Sequence, residues 1–507
     1  MTKADEGPVL VAGGSGLIGT ATVSALTARG RRVRLLSRHA VEDARRWESG
    51  VEPFTADVLD PGALRASADG CDAMLVSIGI VKEAPPEQTF QAMNVDSVER
   101  LLREAERAGV RRFVFVSSLG AERGKSPYHR SKLEAEQLVR AFDGSWTIAR
   151  VGNVFGPGDE VISMLLQLVR TLPVVPTIGS GDQPFQPVWH VDVGNALAEL
   201  VAREDLSGEV LELAGGEQTT VNALLERLGE ITDRHPAKVP VPSFIAKLGL
   251  KLGDAAGIDL PLSENHIQML IEENVVRSPR GNALETVLGV TPTPLDVALR
   301  ELADAAPEQL PDDGSGALKR KRYWTLIEGA TIGAEELCRR VCDNFARVAP
   351  ADTGVEPGTP TALTVGATLT LHLPFRGNIQ VRCEEITPTS ISLVTLAGHP
   401  LAGLVRFQFE SEGDAIRCEI ATFVRAANAV DRVLMQTVGE GMQERAWTES
   451  MQRIVALSGG RAAQVRVEKE EVRGDREAAL TAHMRELVNR RKRDATSRSR
   501  ATDREND

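Results

Sequence analysis

The sequence predicts a doubly wound α/β parallel sheet followed by an α+β second domain, and three patterns predict it. Across residues 8–300, short apolar runs alternate with helical periodicity, as in Val9–Ala12 followed by Thr20–Arg29. The first such junction is Gly13-x-x-Gly16-x-x-Gly19, a spacing that suits a tight strand-to-helix turn holding a pyrophosphate. Beyond residue 368 the texture becomes strict apolar/polar alternation, which marks antiparallel strands with one buried face.

A chain of 507 residues exceeds one core, so several domains are expected. We place them at 1–304 and 321–460, with a Pro/Gly/Asp-rich linker at 305–320 and a charged tail at 461–507. Hydrophobic content of 42% and charged content of 26% are those of a soluble globular protein, and a net charge of −12 argues against nucleic acid as partner. The five cysteines are odd in number and scattered, which suits a reducing, cytoplasmic setting without a disulfide framework. Cys338 and Cys342 sit four apart on a helical stretch, read as core packing, and no metal site is expected. Met1–Pro8 lacks the apolar stretch of a signal peptide. Val161–Ile178 is interrupted by Gln167, Arg170 and Pro173, so no transmembrane span is expected, and peripheral membrane contact stays open.

In the first domain each strand end proposes a contact. Gly13, Gly14, Ser15, Gly16, Leu17, Ile18 and Gly19 form the phosphate loop, with the N-terminus of the next helix offering free N–H groups. The second strand, Arg32–Ser37, ends at Ser37-Arg38, where an acidic residue would hold the ribose of NAD. An arginine there suits the 2′-phosphate of NADP instead, so NADP is expected over NAD. Val51–Ala56 is a third strand that delivers Asp57 and Val58 beside the adenine, and Ala73–Ser77 a fourth that delivers Ile78 and Gly79. Glu87–Ala108 reads as a long amphipathic helix carrying Asn94, and Arg112–Ser118 as a fifth strand ending in two serines. Tyr128 and Lys132, inside the helical stretch Pro127–Val139, share one helix face. An ammonium there lowers the phenol's pKa and can hold a ribose, so the phenol can act as acid or base. Ser117 or Ser118 could polarise a substrate carbonyl. Trp146–Val151 is a further strand, and Gly194–Ala202 a helix.

These residues together resemble the atypical or extended short-chain dehydrogenases/reductases, in the style of the NAD(P)H-binding accessory subunit of respiratory complex I and the NmrA-like proteins. The matching positions are Gly13-x-x-Gly16-x-x-Gly19, Asp57, Asn94, Ser117-Ser118, Tyr128-x-x-x-Lys132, Arg150-x-x-Asn153-x-x-Gly156-Pro157 and Pro187-Val-x-x-Val-Asp192. The resemblance implies a Rossmann-type fold, catalytic Tyr128 and Lys132, and support from Ser117, Ser118 and Asn94. It also implies that Val151–Asn153 passes near the nicotinamide. Members of this group also bind NADP(H) without turnover, which leaves a structural or sensory role open.

Residues 240–300 are expected to form the substrate-facing part, with Phe244–Leu252 an apolar segment and Trp189 and His190 near the substrate. In the second domain, Thr368–Leu373, Ile379–Cys383, Ser390–Thr395, Val405–Phe409 and Ile416–Ile420 read as strands. Asn428–Leu457 reads as a long helix with apolar positions at Val430, Val433, Leu434, Val438, Met442, Trp447, Met451 and Ile454. A sheet closed by such a helix is the helix-grip pattern. The run Ala397–Phe407 is similar to the bacterial DUF1990 family, which implies a START-like fold and an apolar ligand between sheet and helix. The tail reads as a charge-mixed helix fraying into disorder, with Arg490–Arg493 on a solvated face.

The combined expectation is an NADP(H)-dependent oxidoreductase acting on a carbonyl or alcohol of a small, apolar substrate. The alternatives are a non-catalytic NADP(H)-binding scaffold, sensor or assembly protein, and a lipid or polyketide carrier acting through the C-terminal domain.

Overall fold

The computed structural model describes residues 6–47, 49–171, 174–232, 234–244, 272–349, 354–355, 362–373, 377–427, 431–432 and 440–505. The chain divides into two compact units, the second consisting chiefly of Asp304 onward.

The first unit is built on seven parallel strands: β1 (Val9–Ala12), β2 (Val33–Ser37), β3 (Val51–Thr55), β4 (Ala73–Val76), β5 (Arg112–Ser118), β6 (Ser145–Val151) and β7 (Glu209–Leu213). Their order is β7-β6-β5-β4-β1-β2-β3. Strand β1 pairs with β2 on one side and β4 on the other, so Val11 lies level with both Leu35 and Leu75. The strand order reverses at β1, and a crevice at the carboxyl ends is where such sheets bind ligands. Every residue of β1 and β5 is buried, which is why β1 and the Phe113–Val116 stretch of β5 are continuous apolar runs rather than alternating ones. One face carries α1 (Leu17–Ala28) and α4 (His190–Ala202), packing Val23, Leu26, Leu197 and Leu200. The other carries α2 (Ser97–Ala108) and α3 (Pro127–Arg140), packing Leu101, Ala135 and Val139.

Two helices differ from expectation. Gln91–Asp96 forms a turn of π-helix ahead of α2, and Asn94 sits within it. Helix α4 starts at His190 rather than Gly194. Of the apolar segment Phe244–Leu252, only Phe244 is described, and it is exposed; 245–252 lie outside the described residues.

The second unit holds a nine-stranded antiparallel sheet. Its long strands are β8 (Ser315–Glu328), β9 (Thr368–Leu373), β10 (Gly377–Thr387), β11 (Ser390–Thr395), β12 (Leu401–Glu412), β13 (Ala415–Ala426) and β14 (Arg466–Val472), in the order β9-β10-β11-β12-β13-β8-β14. The five strands read from alternation are all present. Strand β8 falls partly within the stretch read as linker, and Gln309 N–H already donates to Thr395 O at 2.7 Å. Its Lys319-Arg320-Lys321-Arg322 run looks unlike a strand, yet burial alternates along it. Arg320 and Arg322 find Glu470 and Glu468 directly across on β14, at 3.0 and 2.9 Å.

Helix α5 (Ala334–Asp343) places Leu337, Cys338, Val341 and Cys342 in the core with Phe407 and Phe409. All five cysteines are buried and free of disulfides. Of the expected long helix, α6 (Glu440–Ser458) is described, and Met451 and Ile454 are buried. Trp447 meets Phe407 edge to face at 6.0 Å. Val430, Val433, Leu434, Val438 and the Met442 side chain lie outside the described residues.

The tail is not a loose solvated segment. Helix α7 (Asp475–Glu505) buries Met484, Leu487 and Val488 against Val394 and Leu404. Arg491 and Lys492 reach two buried carboxylates: Arg491 Nε meets Glu384 at 2.7 Å, and Lys492 Nζ meets Glu308 at 2.7 Å. Arg382 also pairs with Glu308 at 2.7 Å. Carboxylates withdrawn from water need such partners, so Arg491 and Lys492 are engaged in docking the helix.

Candidate functional site

The glycine loop follows β1 and opens α1. Gly13 has φ +87°, a left-handed conformation that turns the chain sharply. A Cβ on Gly19 would lie 2.1 Å from Gly13 O and 2.6 Å from Gly14 Cα, so the helix can approach the loop only with glycine there. A Cβ on Gly16 would make an ordinary 3.5 Å contact. Gly16 therefore leaves open backbone at the helix end, where α1 has no side-chain cap and no acidic residue in its first turn. A free N-terminus over open backbone fits a pyrophosphate. Ser15, Leu17 and Ile18 complete the loop.

At the end of β2, Arg38 is exposed and forms no hydrogen bond or ion pair among the described residues. Ser37 Oγ is occupied: it donates to Asp43 Oδ2 at 2.6 Å. Asp57 Oδ1 accepts Leu59 N–H at 2.9 Å, holding the turn after β3, and Val58 packs beside it. Sequence reasoning missed Arg46. Its Nη1 donates to Ser15 O at 3.1 Å and Thr20 Oγ1 at 3.3 Å, so a second guanidinium borders the loop. No motif marks it; the short helical turns 40–46 carry it there.

Across the crevice, Lys132 is almost wholly buried. Its Nζ donates to Ile78 O at 3.2 Å and Val116 O at 3.1 Å, and lies 5.1 Å from the Phe115 ring centre. Desolvation pulls the ammonium down to about 8, against the attraction of Glu136. A Cβ on Gly79 would fall 2.8 Å from Lys132 Nζ and 3.3 Å from Asn94 Oδ1, so that glycine makes room for both. Asn94 Oδ1 accepts Ile80 N–H at 2.9 Å, and its Nδ2 donates to Ser131 Oγ at 3.0 Å. Ser131 in turn donates to Tyr128 O at 2.7 Å. Desolvation pushes the Tyr128 phenol up to about 12, and the nearby Ser118 hydroxyl acts in the opposite direction.

The two serines part company because successive strand residues face opposite sides. Ser118 faces the Tyr128 side, close enough to act on the phenol. Ser117 Oγ donates to Glu136 Oε1 at 2.7 Å and is committed to a buried ionic network. It is therefore not aimed at a reacting carbonyl, and of the two serines Ser118 is the one brought to the phenol.

A family model described as NAD(P)H-binding matches residues 13–160. The ceramide reductase of Caulobacter vibrioides is 36% identical over 198 residues, which is 39% of this chain and 61% of that protein. The mitochondrial NADH dehydrogenase (ubiquinone) 1 alpha subcomplex subunit 9 of Arabidopsis thaliana is 28% identical over 245 residues, 47% of this chain and 61% of that one. A 3-diazoavenalumate denitrifying reductase of a Streptomyces species is 30% identical over 223 residues, 38% of this chain and 71% of that one. The chain belongs to the NAD(P)H-binding Rossmann proteins. It spans 61% of the length of each of the first two relatives.

In this NAD(P)H-binding Rossmann protein the strand after α3 supplies the remaining expected positions. Val151 is buried at the end of β6 and its carbonyl accepts Leu119 N–H at 3.1 Å. Asn153 Oδ1 is buried without a hydrogen-bond partner, an acceptor that a ligand donor would satisfy. Trp189 is buried, 5.2 Å from the Phe155 ring and 4.4 Å from the His190 ring. His190 lines a cavity of about 620 Å³ together with Ser15, Gly16, Leu17 and Arg46. That cavity runs along the outer side of α1, and Tyr128 does not line it.

Proposed function

We propose that the protein is an NADPH-dependent reductase of the short-chain dehydrogenase/reductase class, acting on a carbonyl of a small apolar substrate. The observation that supports this reading is that α3 carries Tyr128 near Ser118 at the carboxyl end of β5 and, one turn on, Lys132 beside Gly79. A bound NADPH would supply hydride from nicotinamide C4. Ser118 donates a hydrogen bond to the carbonyl oxygen, and Tyr128 delivers a proton to the alkoxide. With its pKa near 12 the phenol is protonated at neutral pH, which favours the reductive direction. The lowering of the phenol expected from Lys132 is absent, since burial outweighs it; Lys132, one turn on and largely protonated below about 8, is the residue that would hold the nicotinamide ribose. Asn94 braces the helix turn that carries Tyr128. Arg38, free, and Arg46, at the loop, favour the 2′-phosphate of NADPH over NADH. The name of the Caulobacter relative, a ceramide reductase, supports an apolar carbonyl substrate. In the second unit, α6 against the antiparallel sheet supports a START-like role in presenting that substrate.

The test is NADPH oxidation by purified protein across a panel of ketones and aldehydes. Tyr128→Phe is expected to lower kcat by about 10²–10⁴ while leaving NADPH affinity intact. No oxidation with any carbonyl would refute the reading.

One observation favours a second reading, an NADP(H)-binding scaffold. Both hydrogen bonds of Lys132 go to backbone carbonyls rather than to the phenol. Under that reading Tyr128→Phe spares function in cells, while Gly16→Asp abolishes it.

A further inference from the structure

Tyr128, Lys132 and Glu136 stand at i, i+4 and i+8 of α3, so successive turns present a phenol, an ammonium and a carboxylate along one face. The proton transfer proposed above uses the first two and leaves Glu136 without a task. Yet Glu136 is completely buried, and an isolated carboxylate in that position would give up its charge. It does not stand isolated. Arg150 clasps it from β6 with two bonds, Nε to Oε1 at 2.9 Å and Nη2 to Oε2 at 2.8 Å. Ser117 donates to Oε1 at 2.7 Å, and Arg140 reaches Oε2 at 3.5 Å. Arg150 is anchored from its other side by Glu122 at 2.6 Å. A bidentate guanidinium and a hydroxyl satisfy the carboxylate oxygens and fix their direction. We propose that Glu136 is a positioning residue whose locked carboxylate keeps Lys132 cationic within the buried site. This rests on the reading of Lys132 as part of the nucleotide site.

The groups around the pair are few. Tyr128 and Arg140 come from α3 itself, Arg150 from β6, Glu122 from the segment after β5, and the π-helical turn contributes the neutral Asn94. Among the described residues Lys132 Nζ hydrogen-bonds the Ile78 and Val116 carbonyls and lies near the Phe115 ring and Gly79. Glu136 stands one helical turn along from it, and its charge opposes the fall of the lysine toward about 8. The serine that β5 turns away from the phenol acquires a reason: it secures the counter-charge.

The test uses the full chain and NADPH alone, by calorimetry in buffers of different ionisation enthalpy from pH 6.5 to 9. Binding an anion beside a partly deprotonated lysine takes up a proton, so uptake by the wild type is expected to peak near pH 8. In Glu136→Gln the peak should move about one pH unit toward acid, and Glu136→Asp should restore it. A purely structural role would lower the melting temperature of both variants and leave the peak in place. Because Glu136→Gln strands Arg150, the double variant Glu136→Gln/Arg150→Gln is measured alongside, with a smaller acid shift expected. An unmoved peak in either folded variant, or no proton uptake by a wild type that binds NADPH, overturns the proposal. A wild type that binds no NADPH overturns the cofactor reading and this role with it.

Discussion

Replacing Lys132 by methionine should make the nucleotide-free protein more stable, even as it removes the proposed function. The side chain is 4% exposed, and its charged end meets two carbonyls in place of water. Its pKa falls from 10.5 to about 8 on folding, which at about 1.4 kcal/mol per tenfold corresponds to about 3 kcal/mol of lost stability at neutral pH. Methionine fills nearly the same volume without charge. Against that gain, Ile78 O and Val116 O lose their donor, at about 1 kcal/mol each. The net expectation is about 1 kcal/mol in favour of Lys132→Met at pH 7. The sign with pH follows from the two pKa values. Below about 8 the lysine is protonated in both states, so the penalty is complete. Between about 8 and 10.5 the folded lysine sheds its proton while the unfolded one keeps it, and the wild type recovers stability. The advantage of the variant should therefore be full at pH 7 and absent by pH 10. The assay is urea unfolding at both pH values, following the transition that NADPH shifts in the wild type. A variant less stable at pH 7, or one whose advantage is equal at pH 7 and 10, would refute the reasoning.

Other perturbations separate fold from site. Gly19→Ala forces a Cβ against loop backbone and should lower the stability of the first unit by about 2 kcal/mol or more in thermal unfolding. Gly16→Asp meets only ordinary contacts, so its melting temperature should hold while NADPH affinity in a fluorescence titration falls at least tenfold, by about 1.4 kcal/mol. Arg46→Ala should weaken NADPH by about tenfold and leave NADH unchanged, and Arg38→Ala should add to it; equal losses for both nucleotides would exclude the 2′-phosphate as their target. In the second unit, Arg491→Met leaves Glu384 buried without its partner and should cost about 3 kcal/mol in the unfolding transition insensitive to NADPH.

Much of the first unit was legible because its signals are local. The Gly13–Gly19 spacing, the apolar run of β1 and the pairing of Tyr128 with Lys132 on one helix turn all follow from residues close in sequence. What was not legible depended on distance. Arg46 is one arginine among many until the turns of 40–46 lay it on Ser15 O. Ser117 and Ser118 are interchangeable as letters, and only the pleat of β5 sends one to Glu136 and the other to Tyr128. Strand β8 was hidden by its charges, which make sense only opposite Glu468 and Glu470, some 150 residues away.

The sequence by itself therefore determined the dinucleotide loop, the alternation of strand and helix, and the five alternating strands of the second unit. Those depend on backbone sterics and on periodicity, which neighbours in the chain impose. The tertiary structure alone decided the electrostatics. Whether a charge is solvated or buried, and which opposite charge it meets, is a property of assembled elements. The Arg150 clasp on Glu136 and the basic tail on Glu308 and Glu384 exist only once distant segments have been brought together.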